Sequence, residues 1–339
     1  MQKRFLLLIV LSLLAAGLAF AGGAEEAGDE SEPVEVIRIR FATILSPGDP
    51  MAEAGERFAE LVAEKSDGSI MVETYPGGSL GGERENLEAL RTGSLEVAGV
   101  SSLADAIFFA PEYSVFSAAY LVKDRDHLNR CWAGEVGQEI NSYIESTLGI
   151  KTLTLMDRGP RQLTSNRRVD SVDDIQGMKM RVPNNQVYLD IWEALGANPV
   201  PVAFPELYGA LQTGVVSAQE NPLATIYSSK FYEVQDYLAL TNHVIEAYKF
   251  QCSAKWFNGL TPEQQEIIQS AAVEAAQYGN DLVRQSEESL VSELESLGMT
   301  IVEPDVESFR ERAMAKVLEL GQTYFKPGLV EKVIAEGEK

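Results

Sequence analysis

A single helical signal near the carboxy terminus restricts the folds available to this chain more than any other stretch. Thr261 is a good N-cap, Pro262 takes the first helical position and Gln264 completes a capping box. No strong stop follows before Gly298. At about 1.5 Å per residue the segment runs roughly 50 Å, longer than one ordinary lobe. A helix of that length has to cross two lobes, with Gly279 or the polar stretch 285–289 as bending points. The alternative is a pair of helices broken at Gly279.

The rest of the chain supplies the lobes. Residues 36–42 alternate and are β-branched, so they read as a strand. A helix over Pro50–Lys65, a strand over Ile70–Tyr75, a helix over 83–91 and a strand over 95–100 follow. After Gly149 the alternation resumes: strand 150–155, a helical turn at 172–177, strand Lys179–Val182, helices 185–195 and 204–212, and a short strand 218–220. Strands alternating with helices predict an α/β fold with a mostly parallel sheet and helices on both faces. No fixed-period repeat is visible, so the two units are alike in architecture and not in sequence.

Residues 1–21 read as a secretory signal peptide. Lys3 and Arg4 precede an apolar run from Phe5 to Phe20, and Ala19-Phe20-Ala21 supplies the small-residue cleavage site. The run also approaches the length of a membrane span, which leaves an uncleaved anchor as the alternative. No cysteine follows the site, which argues against a lipid anchor. Residues 22–35, rich in Gly, Ala, Glu and Ser, read as a disordered tether. Nothing later resembles a membrane span, so an exported, soluble, periplasmic protein is expected, with enough chain left for two packed lobes.

The formal charge of -23 excludes a nucleic-acid binder, because phosphate contacts need a basic face. Loss of Lys3 and Arg4 would carry it to about -25. Such a field repels an anion at long range, so capture of one has to rely on local positive charge. Arg158, Arg161, Arg167, Arg168, Lys179 and Arg181 concentrate that charge in one segment. Arg167, Arg168 and Lys179 read as solvated surface. Cys131 and Cys252 are the only cysteines, and two buried thiols are the preferred reading over a disulfide.

Arginine suits a carboxylate because its planar fork offers paired N–H donors and keeps its charge. Residues 178–182 read as a strand that Pro183 ends, which puts Arg181 near a strand's carboxyl end, where α/β sheets bind ligands. An unpaired buried arginine is costly, so Arg181 needs a partner. That partner is a ligand carboxylate or, structurally, Glu206 or Glu220; for Arg161 the same two readings stand level. Asn221 precedes Pro222 and is pushed toward extended backbone, where its amide offers both donors and an acceptor. Phe204, Tyr208, Tyr188 and Trp192 all read as core aromatics on their own.

An ordered set of fragments goes further: GPRQLTSNR at 159–167, KMRVPNN at 179–185, ALGANPVPVAF at 194–204, ELYGALQTG at 206–214, QENP at 219–222 and YEVQDYLALTNH at 232–243. The set resembles the substrate-binding proteins of TRAP transporters, the dicarboxylate-binding DctP family. Weaker similarity covers most of the remaining chain, including YPGGSLGGERENLEALRTGSLE at 75–96. The resemblance implies a two-lobed periplasmic-binding-protein-like fold, each lobe a sheet flanked by helices, with the long helix spanning both. Lobe I is expected over 36–158 plus about 247–286, and lobe II over 159–246 plus about 287–339. It also implies a monomer without cofactor or metal that closes over a small organic acid and delivers it to TRAP-type membrane permease subunits. By position, Arg181 looks like the family's carboxylate-binding arginine, Arg161 like a second arginine nearby and Asn221 like an asparagine that hydrogen-bonds the same group. Asn184 and Phe204 match positions that line the cleft.

Two departures qualify that picture. The family commonly carries Asp-Gly before QENP, where this chain has Ser217-Ala218. Members that take sialic acid place charged residues after the third strand, where this chain has Val100-Ser101-Ser102-Leu103-Ala104. Sialic acid is therefore not the expected ligand; the hydroxyls of Ser101, Ser102 and Thr43 suit a uronate or a dicarboxylate. An enzyme is not expected. His127 and His243 are the only histidines and lie in no metal-ligand spacing, no G-x-S-x-G occurs, and Gly77-Gly78-Ser79-Leu80-Gly81-Gly82 lacks the Lys-Ser/Thr of a phosphate loop. The alternatives are a binding protein of another transporter or sensor, and a lyase or isomerase using paired arginines.

Overall fold

The computed structural model describes residues 36–339, so the expected signal peptide and tether lie outside the described residues. The described residues form ten strands: β1 (Ile37–Thr43), β2 (Ile70–Tyr75), β3 (Val97–Ser101), β4 (Ile150–Ser165), β5 (Lys179–Val182), β6 (Asn198–Pro201), β7 (Ala218–Pro222), β8 (Tyr237–Ala239), β9 (Ile245–Ser253) and β10 (Thr300–Val302). They run in the order β2-β1-β3-β9-β4-β7-β5-β6, with β8 joined to β4 and β10 to β8. Helices flank the strands, as an α/β chain requires.

The sheet is mixed, which corrects the mostly parallel expectation. The outer pairs β1–β2, β1–β3, β5–β6 and β5–β7 are parallel, as strand–helix alternation predicts. At the centre, β9 runs antiparallel to both β3 and β4, and β4 runs antiparallel to β7. These antiparallel neighbours are not consecutive in sequence: β5 to β8 come between β4 and β9, and β5 and β6 between β4 and β7.

β4 joins the two halves. Its residues 150–160 pair with β9 and its residues 161–165 pair with β7. The pairing slips between Asp157 and Gly159, where Gly159 takes φ +79°. The positive φ favours glycine there, and a Cβ at Gly159 would press on the Glu287 carboxylate of the long helix. Arg125 braces this bend by pairing with Asp157 of β4 and Glu287.

The long helix is continuous over Pro262–Ser296, with the Thr261–Gln264 capping box formed. Gly279 therefore does not break it. A Cβ at Gly279 would meet Met156 Sδ at 2.1 Å, so the glycine lets the helix lie close on β4. The first part of the helix buries Ile268, Ala271, Ala272, Ala275 and Ala276 against the Phe41, Phe58 and Phe250 cluster, whose ring centroids lie 5.5 to 6.1 Å apart. Its last turns bury Leu290 and Leu294 in a separate core with Leu207, Ile226 and Phe231. One helix thus serves both halves, as its length requires.

Cys131 and Cys252 are buried free thiols. Arg167, Arg168 and Lys179 are exposed. Among the described residues no helix is long and apolar enough to cross a membrane.

Candidate functional site

The carboxyl ends of parallel strands from both halves converge on one cavity. Ile44 and Leu45 follow β1, Gly99 and Ser101 close β3, Arg181 and Pro183 close β5, and Asn221 closes β7. The crossing strands supply the remaining charge, Arg158 and Arg161 from β4 and Glu246 from β9. The cavity holds about 50 Å3 and adjoins a wider cleft of about 390 Å3, with Glu83, Arg181 and Phe204 lining both.

Arg161, Arg158 and two carboxylates form the buried framework. Arg161 donates from Nε to Glu220 Oε2, from Nη1 to Glu246 Oε2 at 2.7 Å, and from Nη2 to Glu220 Oε1 at 2.9 Å and to its carbonyl at 2.8 Å. Arg158 donates to Glu246 Oε1 at 2.8 Å and lies 4.7 Å from the Tyr248 ring centroid. His243 Nε2 donates to Glu220 Oε2 at 2.9 Å, and its Nδ1 meets Thr241 Oγ1 at 2.8 Å. Burial works to raise the Glu220 pKa, but Arg161 and His243 outweigh it and hold the carboxyl at about 2. Burial acts likewise on Glu246, where Arg158 and Arg161 bring the pKa below the usual range. Both glutamates are therefore anionic.

Arg181 is different. It is 3% exposed, and among the described residues its guanidinium makes one hydrogen bond, from Nε to the Val202 carbonyl at 2.9 Å. Its guanidinium lies 5.9 Å from the Phe204 ring centroid. Among the described residues no carboxylate pairs with it, neither Glu206 nor Glu220. Burial pulls its pKa down to about 10, incompletely offset by Glu220 at longer range. A buried cation with free N–H groups facing a cavity is arranged to take an anion.

The residues singled out in the sequence separate accordingly. Arg181, Arg161, Asn221, Phe204 and Ser101 all line the cavity. Arg161 spends most of its donors on Glu220 and Glu246, so the structural pairing weighed for it is present. The Ser101 hydroxyl donates to Glu246, and its N–H donates to Glu83 Oε1 at 2.6 Å. Asn184 is exposed and lines the outer cleft instead of the inner cavity. Thr43 does not line either space: it is buried at 1%, and its Oγ1 accepts from Leu45 N at 3.4 Å. One residue beyond it the chain reaches the wall.

Sequence reasoning passed over Arg158 as a site residue, together with Glu83, Glu246, Tyr248 and the cavity face of Tyr188. The β9 segment IEAYKFQCS carried a signal, since Glu246, Lys249 and Gln251 interrupt an otherwise apolar strand. Lys249 pairs with Asp105 away from the cavity, at 2.7 Å. Among the described residues no group of His, Cys, Asp or Glu is placed to hold a metal ion.

Residues 41–323 match the bacterial extracellular solute-binding protein family 7, DctP. The chain belongs to this family. A solute-binding protein of Roseobacter denitrificans is 35% identical over 283 residues, 84% of this chain and 86% of that protein. The sialic acid-binding periplasmic protein SiaP of Vibrio cholerae is 33% identical over 88% of this chain and 92% of its own. In three dimensions, the sugar acid binding protein DctPAm of Advenella mimigardefordensis, solved in complex with galactonate, superposes with a TM-score of 0.85 at 33% identity. That match covers 90% of this chain and 99% of the other. The two-lobed architecture read from the ordered fragments is thus the family's own, and its members are solute-binding proteins.

Proposed function

We propose that the protein is the periplasmic solute-binding subunit of a TRAP transporter and that it takes a hydroxylated monocarboxylate, an aldonate or uronate, onto Arg181. The observation that carries this reading is the unpaired buried guanidinium of Arg181 beside a framework already neutralised internally. Arg158, Arg161 and Arg181 face Glu220 and Glu246, which leaves a surplus of one positive charge at the cavity when the Glu83 carboxyl is protonated, the direction in which its burial pushes it. One carboxylate balances it. A second would lie near Glu83, whose own pKa burial pushes upward, in a chain of net charge -23. Hydroxyls suit Glu83 better, because a carboxyl group can accept from them.

Lobe I over 36–158 plus about 247–286 and lobe II over 159–246 plus about 287–339 would close on the ligand by bending β4, β9 and the long helix. Phe204 supports such a closure, since it packs against the apolar cores of both halves. Asn184, in the outer cleft, then serves the entry path, and Ser101 acts through Glu246 and Glu83. The galactonate complex of the Advenella relative and the sialic acid named for SiaP agree with a carboxylate carrying hydroxyls. A C4-dicarboxylate remains the second reading, favoured by the succinate complex of a relative from Sulfurospirillum deleyianum.

Calorimetric titration with galactonate, glucuronate and succinate distinguishes the two. The monocarboxylates should bind more tightly; succinate binding best would overturn the charge argument. Uptake by vesicles containing TRAP-type membrane subunits should require this protein and its ligand together, and turnover of any bound acid would point to an enzyme instead.

A further inference from the structure

Asn221 does not stand alone in the cavity wall. Its Oδ1 accepts from Arg161 Nη2 at 3.0 Å and from Arg158 Nη2 at 3.5 Å. Its Nδ2 donates to Gln219 Oε1 at 2.6 Å, and Gln219 Nε2 donates to Thr164 Oγ1 at 2.8 Å. The Thr164 hydroxyl donates to Gln235 Oε1 at 3.1 Å. Gln235 Nε2 ends the series on Asn166 Oδ1 at 2.7 Å and on the carbonyls of Val234 and Ser217 at 3.1 and 3.4 Å. Strand register builds the middle of this chain, because Thr164 of β4 lies directly opposite Gln219 of β7. Gln219, Thr164 and Gln235 are 0, 0 and 2% exposed.

The direction of the chain is fixed at both ends. Guanidinium groups can only donate and backbone carbonyls can only accept, so every amide and hydroxyl between them has one consistent orientation. For Asn221 this means that Oδ1 faces the arginines and one N–H faces Gln219. Its other N–H has no partner among the described residues and is left for the cavity that Asn221 lines.

We infer that Gln219, Thr164 and Gln235 are positioning residues that hold the Asn221 amide with an N–H, and not its oxygen, toward the bound carboxylate. The inference rests on the carboxylate reading above. A reversed amide would set Oδ1 against an anion that can only accept. It would lose a charge-assisted hydrogen bond and add a repulsion in its place. Neither Gln219 nor Thr164 lines the cavity, so their influence on affinity has to pass through Asn221.

The test uses the full mature chain as wild type, Thr164→Val, Thr164→Ser and Gln219→Met. Galactonate and glucuronate are the calorimetric probes, and exchange of the Asn221 side-chain amide protons is followed by NMR without ligand. Thr164→Val removes the central hydroxyl at nearly constant volume. It should weaken the tighter probe by about 3- to 30-fold and speed Asn221 amide exchange by about tenfold. Thr164→Ser keeps the hydroxyl and should restore both, which loss of packing alone would not allow. Gln219→Met should match or exceed Thr164→Val. Wild-type affinity together with unchanged Asn221 exchange in Thr164→Val would overturn the inference. If neither probe binds the wild type, the aldonate or uronate reading fails, and the exchange measurement still decides whether the chain holds the amide.

Discussion

Replacing Arg181 by methionine should move binding and stability in opposite directions. Methionine keeps much of the volume and removes the charge. In the unliganded protein burial holds the Arg181 pKa at about 10 against an ordinary 12.5, a penalty of about 3 kcal/mol on its charged form. The substitution removes that penalty. It also removes the hydrogen bond to the Val202 carbonyl, worth about 1 kcal/mol, and the Phe204 contact, worth about 1 kcal/mol. The unliganded variant should therefore be as stable as wild type or about 1 kcal/mol more stable, raising Tm by about 2–4 °C. Binding should change far more. Loss of one partner of a buried charge pair costs about 2–5 kcal/mol, so Kd should rise by about 30- to 5000-fold. Calorimetric titration of galactonate or glucuronate, paired with unfolding of the unliganded protein, measures both effects. Wild-type affinity, or a variant destabilised by more than about 2 kcal/mol, would refute the reasoning. Arg181→Lys should also bind poorly, because an ammonium cannot reproduce the fork.

Two further outcomes follow from the framework. Glu220 has its folded pKa lowered from 4.5 to about 2, so the stability it contributes is fully present above about pH 4.5 and is lost as pH falls through about 2. Denaturant titrations across that window should show a steep decline for wild type. Glu220→Gln should be less stable at neutral pH by about 3 kcal/mol and should show a flatter profile; an equally steep decline would exclude Glu220 as its source. Gly279→Ala should destabilise by about 1–2 kcal/mol despite alanine's better helix propensity, because its Cβ meets Met156 Sδ at 2.1 Å. A stabilised Gly279→Ala, measured by chemical unfolding, would mean that Met156 yields at no cost.

Much of the architecture was legible locally. The capping box at Thr261, the missing stop before Gly298 and the alternation of short strands and helices are written in adjacent residues, and all appear as read. The central strands were not legible. β4 was expected over 150–155 and runs over Ile150–Ser165, because its second half is polar and charged inside a buried site. β9 escaped notice for the same reason: it is buried throughout its length, so it shows no exposed–buried alternation. Missing β9 and the second half of β4 turned a mixed sheet into a parallel one.

The site divides along the same line. Residue chemistry by itself identified arginines fit for a carboxylate, and placed Arg181 at a strand end where a ligand can reach it. Whether each arginine is free depends on partners far away in sequence, and only the tertiary structure decided that. Glu220 and Glu246 come to Arg161 from β7 and β9, 59 and 85 residues along the chain. They leave Arg161 satisfied and Arg181 without a carboxylate. The sequence determined which groups can bind an anion; the packing of β4, β7 and β9 determined which one still has donors free, because a short-range ion pair depends on distance in space and not along the chain.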